Sequence, residues 1–141
     1  MYPNQILRGR FTEDGLTTAS GPKIVVMCFD RLDRDIGEAL AALDGNDVGR
    51  AHELLCHAQD IVHELLCMLD LGLWEHAASL ASIYRYVMQL LARANMSKRQ
   101  GEAIEARRLL ADLGDAFRQA SLGLTAPAEY AAPSTQFSVR A

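Results

Sequence analysis

Apolar residues recur at alternating steps of four and three along most of the chain. The most regular stretch has its apolar seam at Leu73, Ala77, Leu80, Tyr84, Val87, Leu91 and Ala94. This spacing places all seven side chains on one face of an α-helix, as in a helix that packs lengthwise against other helices. Neither Pro nor Gly interrupts the stretch before Asn95. The pattern therefore predicts a long helix over residues 73–94 at the centre of the fold.

Three further segments show the same spacing, and no segment alternates with period two. We predict helices over residues 20–43, 47–71 and 103–120, the first with a solvated side marked by charged residues that include Asp35. The turn from Asp44 to Asp47 has the composition that ends one helix and caps the next. Short connections make neighbouring helices antiparallel. The predicted fold class is all-α, an antiparallel up-down four-helix bundle.

The two ends of the chain lack a helical stripe. Residues 1–20 contain Phe11 and Leu16 as isolated apolar residues in a polar setting, which predicts an arm that docks these side chains on the bundle. Residues 121–141 contain Pro127 and Pro133 among small polar residues, which predicts a flexible, disordered tail. We divide the chain into an N-terminal arm (1–20), a four-helix bundle (21–120) and a tail (121–141).

Charge and hydropathy exclude several classes of protein. The 14 basic and 18 acidic residues give a formal net charge of -4, and Lys and Arg are scattered beside Asp and Glu rather than gathered on one face. This argues against a nucleic-acid partner. Residues 1–10 lack the apolar run of a secretory signal, and no stretch approaches the roughly 20 apolar residues of a membrane span. We therefore expect no membrane insertion and a cytoplasmic location.

Candidate metal ligands are concentrated on the second predicted helix. His52, Cys56, His63 and Cys67 are separated by four, seven and four residues, so they fall in one narrow stripe. Cys and His are ligands that zinc prefers. One helix cannot wrap all four around one ion, because the two pairs lie ~10 Å apart along its axis. A binuclear or dimer-bridging site stays open, which would make the chain a small helical-bundle metal-binding protein.

The position of this stripe supports a second interpretation. It points away from the apolar seam of its helix and would face water in a monomeric bundle, where Cys is uncommon. A weakly apolar second stripe on a bundle helix can form the floor of a groove for a partner helix. The stripe is therefore also a candidate protein-binding surface.

Catalytic arrangements are poor in this sequence. His76, Ser79 and Ser82 share one predicted helix, without the strained turn and oxyanion donors that a nucleophilic serine needs. No Gly-rich loop follows a strand, and no Glu-x-x-His pair suits a di-iron bundle. We expect a protein that is not an enzyme, and in the leading interpretation it needs no cofactor and no metal.

Several short stretches occur in the order and spacing of a known family. They are Thr18-Ala19-Ser20, Met27-Cys28-Phe29-Asp30, the run from Ala58 to Leu65, the run from Leu80 to Tyr86, and Leu91-Ala92-Arg93-Ala94-Asn95. In these features the chain from about Phe11 to Ala120 resembles the FliS family, the flagellar export chaperones of flagellin. It departs from the family pattern at Gly21-Pro22, where the order is exchanged, and at Phe11 and Phe29, where members often carry Tyr.

The resemblance implies a cytoplasmic, non-catalytic chaperone. Such proteins bind the C-terminal helical segment of flagellin, prevent its premature polymerisation and deliver it to the flagellar type III export apparatus. We expect the flagellin contact, in a groove and the arm, to include Phe11, Leu16, Met27, Phe29, Cys56, His63, Cys67 and Tyr84. A further alternative is an adaptor whose partner is a flagellar regulatory protein.

Overall fold

The computed structural model describes residues 21–72 and 75–123. They form four α-helices, α1 (Gly21–Asp44), α2 (Val48–Cys67), α3 (Ala77–Ser97) and α4 (Gly101–Gly123). No strand occurs in these two stretches, so the all-α prediction is confirmed. No helix in the described part of the chain is both long enough and apolar enough to span a bilayer. The predicted arm lies outside the described residues, as does the tail after residue 123.

The helices pack in a ring in which α1 contacts α2 and α4, and α3 contacts the same two helices. Their direction can be followed on α1 and α2, where Asp35 bonds to His57 and Glu38 bonds to Arg50. Residue numbers rise on one helix as they fall on the other, so the two are antiparallel. This arrangement agrees with the predicted up-down bundle.

The seams seen in the sequence form the hydrophobic core. On α3 all six seam positions from Ala77 to Ala94 are buried, whereas Leu73 lies outside the described residues. On α1 the four central seam residues are buried, and the two at its ends, Val25 and Leu43, are partly exposed; the buried four are Phe29, Leu32, Ile36 and Ala39. Tyr84 is the largest fully buried side chain. The period of the apolar residues thus identified the buried face of each helix.

The connection between α2 and α3 is longer than predicted. Helix α2 ends at Cys67 instead of Leu71, and α3 begins at Ala77 instead of Leu73. Between them the side-chain oxygen Oδ1 of Asp70 accepts a hydrogen bond from the backbone nitrogen of Gly72 at 3.0 Å. Such an Asx turn satisfies the backbone locally and competes with helix. Helix α4 continues past the expected Ala120 to Gly123.

The connection between α1 and α2 has the predicted chemistry. Asn46 adopts the left-handed conformation at φ 59°, and the next backbone nitrogen, that of Asp47, returns to the carbonyl oxygen of Ala42 at 2.8 Å. The side chain of Asp47 then caps α2 by accepting a hydrogen bond from the backbone nitrogen of Arg50 at 3.2 Å. Turn and cap together set the tight antiparallel entry into α2.

One carboxylate departs from the predicted pattern. Asp35, expected on the solvated side of α1, is 1% exposed. Its Oδ1 accepts a hydrogen bond from the Nε of Arg31 at 3.1 Å, and its Oδ2 is hydrogen-bonded to the Nδ1 of His57 on α2. Burial is tolerated because both oxygens have partners. A helical pattern read on α1 alone does not show His57, which is supplied by another helix.

The two helical glycines that face a neighbouring helix are expected to respond differently to the same change. A Cβ on Gly114 would lie 3.2 Å from the Cβ of Phe29, which cannot rotate away, whereas a Cβ on Gly37 would meet only the flexible guanidinium end of Arg107. Gly→Ala adds the same helix propensity at both sites. We expect Gly114→Ala to be less stable than Gly37→Ala by about 1–3 kcal/mol, because only the first overpacks the core. Urea unfolding of both variants measures this difference, and equal midpoints would contradict the close approach.

Candidate functional site

The His/Cys face of α2 consists of His52, Cys56, His63 and Cys67. Its side chains are exposed or partly exposed, which confirms that the stripe points away from the core. Within each pair the sulfur and imidazole are close. The Sγ of Cys56 lies 3.7 Å from the Nε2 of His52, and the Sγ of Cys67 lies 3.8 Å from the Nδ1 of His63. The structure thus brings these residues together as two separate pairs on one surface.

Asn95 of α3 borders the first of these pairs. Its Oδ1 lies 3.2 Å from the Nδ1 of His52 and also accepts a hydrogen bond from the Nζ of Lys98. Its Nδ2 donates to the Sγ of Cys56 at 3.5 Å. The sequence showed Asn95 as the residue after the α3 seam and as the end of one family-like stretch, and neither observation connects it with His52 or Cys56. Its role could not be predicted, because its partners lie about forty positions away on another helix.

A second surface lies between α1 and α4. It is an open cleft of about 250 Å³ with Phe29 at its floor, and Phe29 stacks on Phe117 with ring centroids 5.4 Å apart. Asp33 on its rim accepts two hydrogen bonds from Arg107, at 2.8 and 3.2 Å. The hydrogen bond from Arg107 holds the pKa of the Asp33 carboxyl below its ordinary value. This α1–α4 groove combines an apolar floor with a charged rim.

The other predicted contact residues lie in different environments. Met27 is 47% exposed on α1. Phe29 and Tyr84 lie in the core with ring centroids 6.5 Å apart, and burial raises the pKa of the Tyr84 phenol above its ordinary value. Phe11 and Leu16 lie outside the described residues. Met27 and the His/Cys face are therefore accessible to a partner, whereas Tyr84 supports the fold from inside.

Further apolar side chains are exposed to solvent, among them Met68 at the end of the α2 seam. They are Val48, Met68, Leu71, Tyr86, Met96, Ile104 and Leu122. Most lie in the first or last turns of helices or in the α2–α3 connection. A partner that packs along the bundle can bury such side chains at both ends of the bundle.

A polar cleft of about 400 Å³ separates α1 from α2 on the outside of the bundle. Asp35, His57 and the exposed pair of Glu38 and Arg50 line it. Most of its charged groups are paired, Arg31 with Asp35 and Arg50 with Glu38 and Glu53. Within residues 21–72 and 75–123 of a single chain, no three His, Cys, Asp or Glu side chains come together in a way that could hold a metal ion.

The three thiols are expected to differ strongly in reactivity. Burial raises the pKa of the Cys28 thiol to about 12, with a further contribution from the charge of Glu64. At pH 8 such a thiol is ionised in about one molecule in ten thousand, against a sizeable fraction for an exposed thiol with a pKa of ~8.5. Cys56 and Cys67 are accessible. Titration with a disulfide reagent should count two rapidly reacting thiols in the folded protein and three after unfolding. Three fast thiols in the folded protein would contradict the burial of Cys28.

Comparison with known proteins adds a finding that covers all four helices. The sequence model of the family described as flagellar protein FliS matches residues 5–123. The flagellar secretion chaperone FliS of Bacillus subtilis (strain 168) is 28% identical over 110 residues, which are 78% of this chain and 82% of that protein.

Proposed function

Because this chain belongs to the FliS family of flagellar proteins, we propose that it is a flagellar secretion chaperone that acts in the cytoplasm. Its client in this proposal is the C-terminal segment of flagellin. The name of the Bacillus subtilis relative supports the chaperone role. Such a role requires a binding surface and no catalytic step.

The observation that carries the proposal is an outward face that lies outside the hydrophobic core. Each helix buries its apolar seam against its neighbours, so the core closes without the His/Cys face. Two of the four side chains of that face are thiols, which act as small apolar groups. A partner helix that lays its apolar face along α2 would cover them.

The α1–α4 groove offers a second apolar floor on another side of the bundle. Its rim pairs Asp33 with Arg107 and Asp30 with Arg118, so charges of both signs border the apolar floor. A segment that forms more than one helix could occupy both surfaces by passing around the bundle. Met27, exposed on α1, would lie along its path.

Binding of this kind couples the folding of the client to its capture. A segment that is disordered when free loses conformational entropy as it forms helices on the chaperone, and this cost holds the affinity below what the buried area alone would give. While bound, its apolar faces are covered and unavailable for polymerisation. Release at the export apparatus then needs only the local unfolding of weakly held helices.

Isothermal titration calorimetry of the full chain against a peptide from the C-terminal segment of the cognate flagellin tests the proposal. We expect one-to-one binding, a negative heat-capacity change from apolar burial, and a gain of helix by circular dichroism. A peptide of the same composition in scrambled order is the control, because it retains the charge but loses the apolar faces. Equal binding of both peptides, or of neither, would contradict the proposed function.

A further inference from the structure

The His/Cys face has a two-fold symmetry in its residue order. His52 and Cys67 are equally far from the midpoint between positions 59 and 60, and so are Cys56 and His63. If two copies of α2 lie antiparallel with this midpoint shared, His52 faces Cys67 of the other copy and Cys56 faces its His63. The His52/Cys56 pair of one chain then meets the His63/Cys67 pair of the other copy.

We propose that two copies of this chain bind two zinc ions between their α2 helices. Each ion takes His52 and Cys56 from one copy and His63 and Cys67 from the partner copy. The result is a Cys₂His₂ ligand set, the composition of a closed tetrahedral zinc site. Each thiol loses its proton to solvent when its sulfur binds the metal. This inference does not rest on the proposed chaperone function. Both partners would cover the same face, so a chain in the zinc-bridged dimer does not hold the flagellin segment there at the same time.

The spacing within each pair suits one metal ion. In a tetrahedral site with Zn–S ~2.3 Å and Zn–N ~2.0–2.1 Å, a sulfur and a nitrogen ligand lie ~3.6 Å apart. The Sγ of Cys56 lies 3.7 Å from the Nε2 of His52, and the Sγ of Cys67 lies 3.9 Å from the Nε2 of His63. Each Sγ is about as close to the Nδ1 of its histidine, at 3.8 Å in both pairs, so a rotation of the imidazole without a backbone change would aim Nε2 at a shared ion.

Asn95 orients the first pair for metal binding. Lys98 donates a hydrogen bond to the Oδ1 of Asn95, so this oxygen acts as the acceptor toward the Nδ1–H of His52. That bond selects the tautomer in which the lone pair of Nε2 is free to bind metal. The amide nitrogen of Asn95 also donates a hydrogen bond to the Sγ of Cys56 at 3.5 Å, which positions the sulfur beside His52. Both contacts are of the kind that tune ligands in zinc sites.

The single chain cannot complete either site by itself. Each of its pairs offers two ligands, and seven residues separate Cys56 from His63, ~10 Å along the helix axis. No third His, Cys, Asp or Glu joins either pair within the described part of one chain. A second copy supplies the two missing ligands for both ions at once.

The centre of the proposed interface is also self-complementary. The same antiparallel relation places Gln59 of one copy opposite Asp60 of the other. An amide can donate to a carboxylate, whereas two facing aspartates would repel each other. Both side chains are partly exposed in the single chain and are therefore available for this contact.

The test is the mass of the full chain in solution with zinc chloride and a phosphine reductant, measured by light scattering after size-exclusion chromatography. We expect a dimer that carries one zinc per chain and reverts to monomer with a chelator. Cobalt in place of zinc should give the absorption of a tetrahedral site with sulfur-to-cobalt charge transfer. Zinc bound to a monomer, a dimer unaffected by the chelator, or the absence of bound zinc would overturn the proposal.

Crossed variants test whether the two pairs act across the interface. His52→Ala with Cys56→Ser should abolish zinc-dependent dimerisation, and so should His63→Ala with Cys67→Ser. An equimolar mixture of the two variants should recover a dimer with one zinc, because one complete site forms between unlike chains. His76→Ala, which removes a histidine outside the face, is the control and should dimerise normally. A mixture that stays monomeric, while each variant retains its helical circular dichroism, would overturn the proposed arrangement.

Discussion

Replacement of Tyr84 by alanine is expected to lower the free energy of unfolding by about 3–5 kcal/mol, the range for removing a large aromatic side chain from a packed core. Tyr84 is 1% exposed at the middle of the α3 seam, with its ring 6.5 Å from that of Phe29. Its loss would leave a cavity in the centre of the bundle, beside Phe29 of α1, and the surrounding helices can fill it only in part. Against the 5–15 kcal/mol of a typical domain, this change would leave little stability.

Tyr86→Ala is the matched control for this prediction. Tyr86 lies on the same helix, is 42% exposed and donates a hydrogen bond to Glu105 at 2.6 Å. Its removal should change stability much less, because no core volume is lost. Guanidinium unfolding followed by circular dichroism measures both variants. Similar midpoints would show that Tyr84 does not have the role in the core that its burial indicates.

A conservative change at the same position separates folding from binding. Tyr84→Phe keeps the ring and removes the hydroxyl, so its cost should stay near 0.5–1.5 kcal/mol. The resemblance to the family placed Tyr84 among the flagellin contacts, whereas the structure buries it in the free protein. We expect this variant to bind the flagellin peptide as the unaltered chain does. Weaker binding by a fully folded Tyr84→Phe would support the direct contact instead.

Introduction of two carboxylates into the His/Cys face is expected to weaken peptide binding at least tenfold, or about 1.4 kcal/mol. The change is Cys56→Asp together with Cys67→Asp, at two accessible positions where the fold has no need of an apolar group. In the complex these positions would lie under a partner helix, and charge buried there without a partner is strongly unfavourable. Calorimetry in the presence of a chelator measures the effect while excluding any contribution from zinc.

The control for this double variant has the same change in charge at other sites. Gln89→Asp with Gln119→Asp adds two negative charges on the exposed sides of α3 and α4. If the His/Cys face is the contact, this control should retain its affinity. Equal weakening in both variants would assign the effect to net charge, and undiminished binding by Cys56→Asp with Cys67→Asp would remove the face from the proposed site.

The helix ends show how far a sequence pattern can be followed. The Asp44–Asp47 turn was predictable, because residues within it make its bonds, such as the Asp47 cap on α2. The early end of α2 was not, since the apolar seam continues through Met68 into the connection. In that connection the side chain of Asp70 accepts a hydrogen bond from the backbone of Gly72, and this turn forms in place of a further turn of helix. Periodicity does not measure that competition.

Side chains that meet across helices were the least predictable. The burial of Asp35 depends on His57, which lies on another helix. The position of Asn95 beside Cys56 depends on how α3 packs against α2. Likewise, Phe29 and Tyr84 belong to apolar seams, yet family likeness alone suggested that they contact a partner. Their burial is what the seams predict, and it keeps them from the surface of the free protein.

The sequence by itself determined the four helices, the face that each one buries and the outward position of the His/Cys stripe. These properties are local, because the 3.6-residue period of a helix decides which side chains share a face. Only the tertiary structure decided which polar groups find partners and where apolar surface remains exposed. Those outcomes depend on distances between residues far apart in the chain, which exist only after the helices have packed.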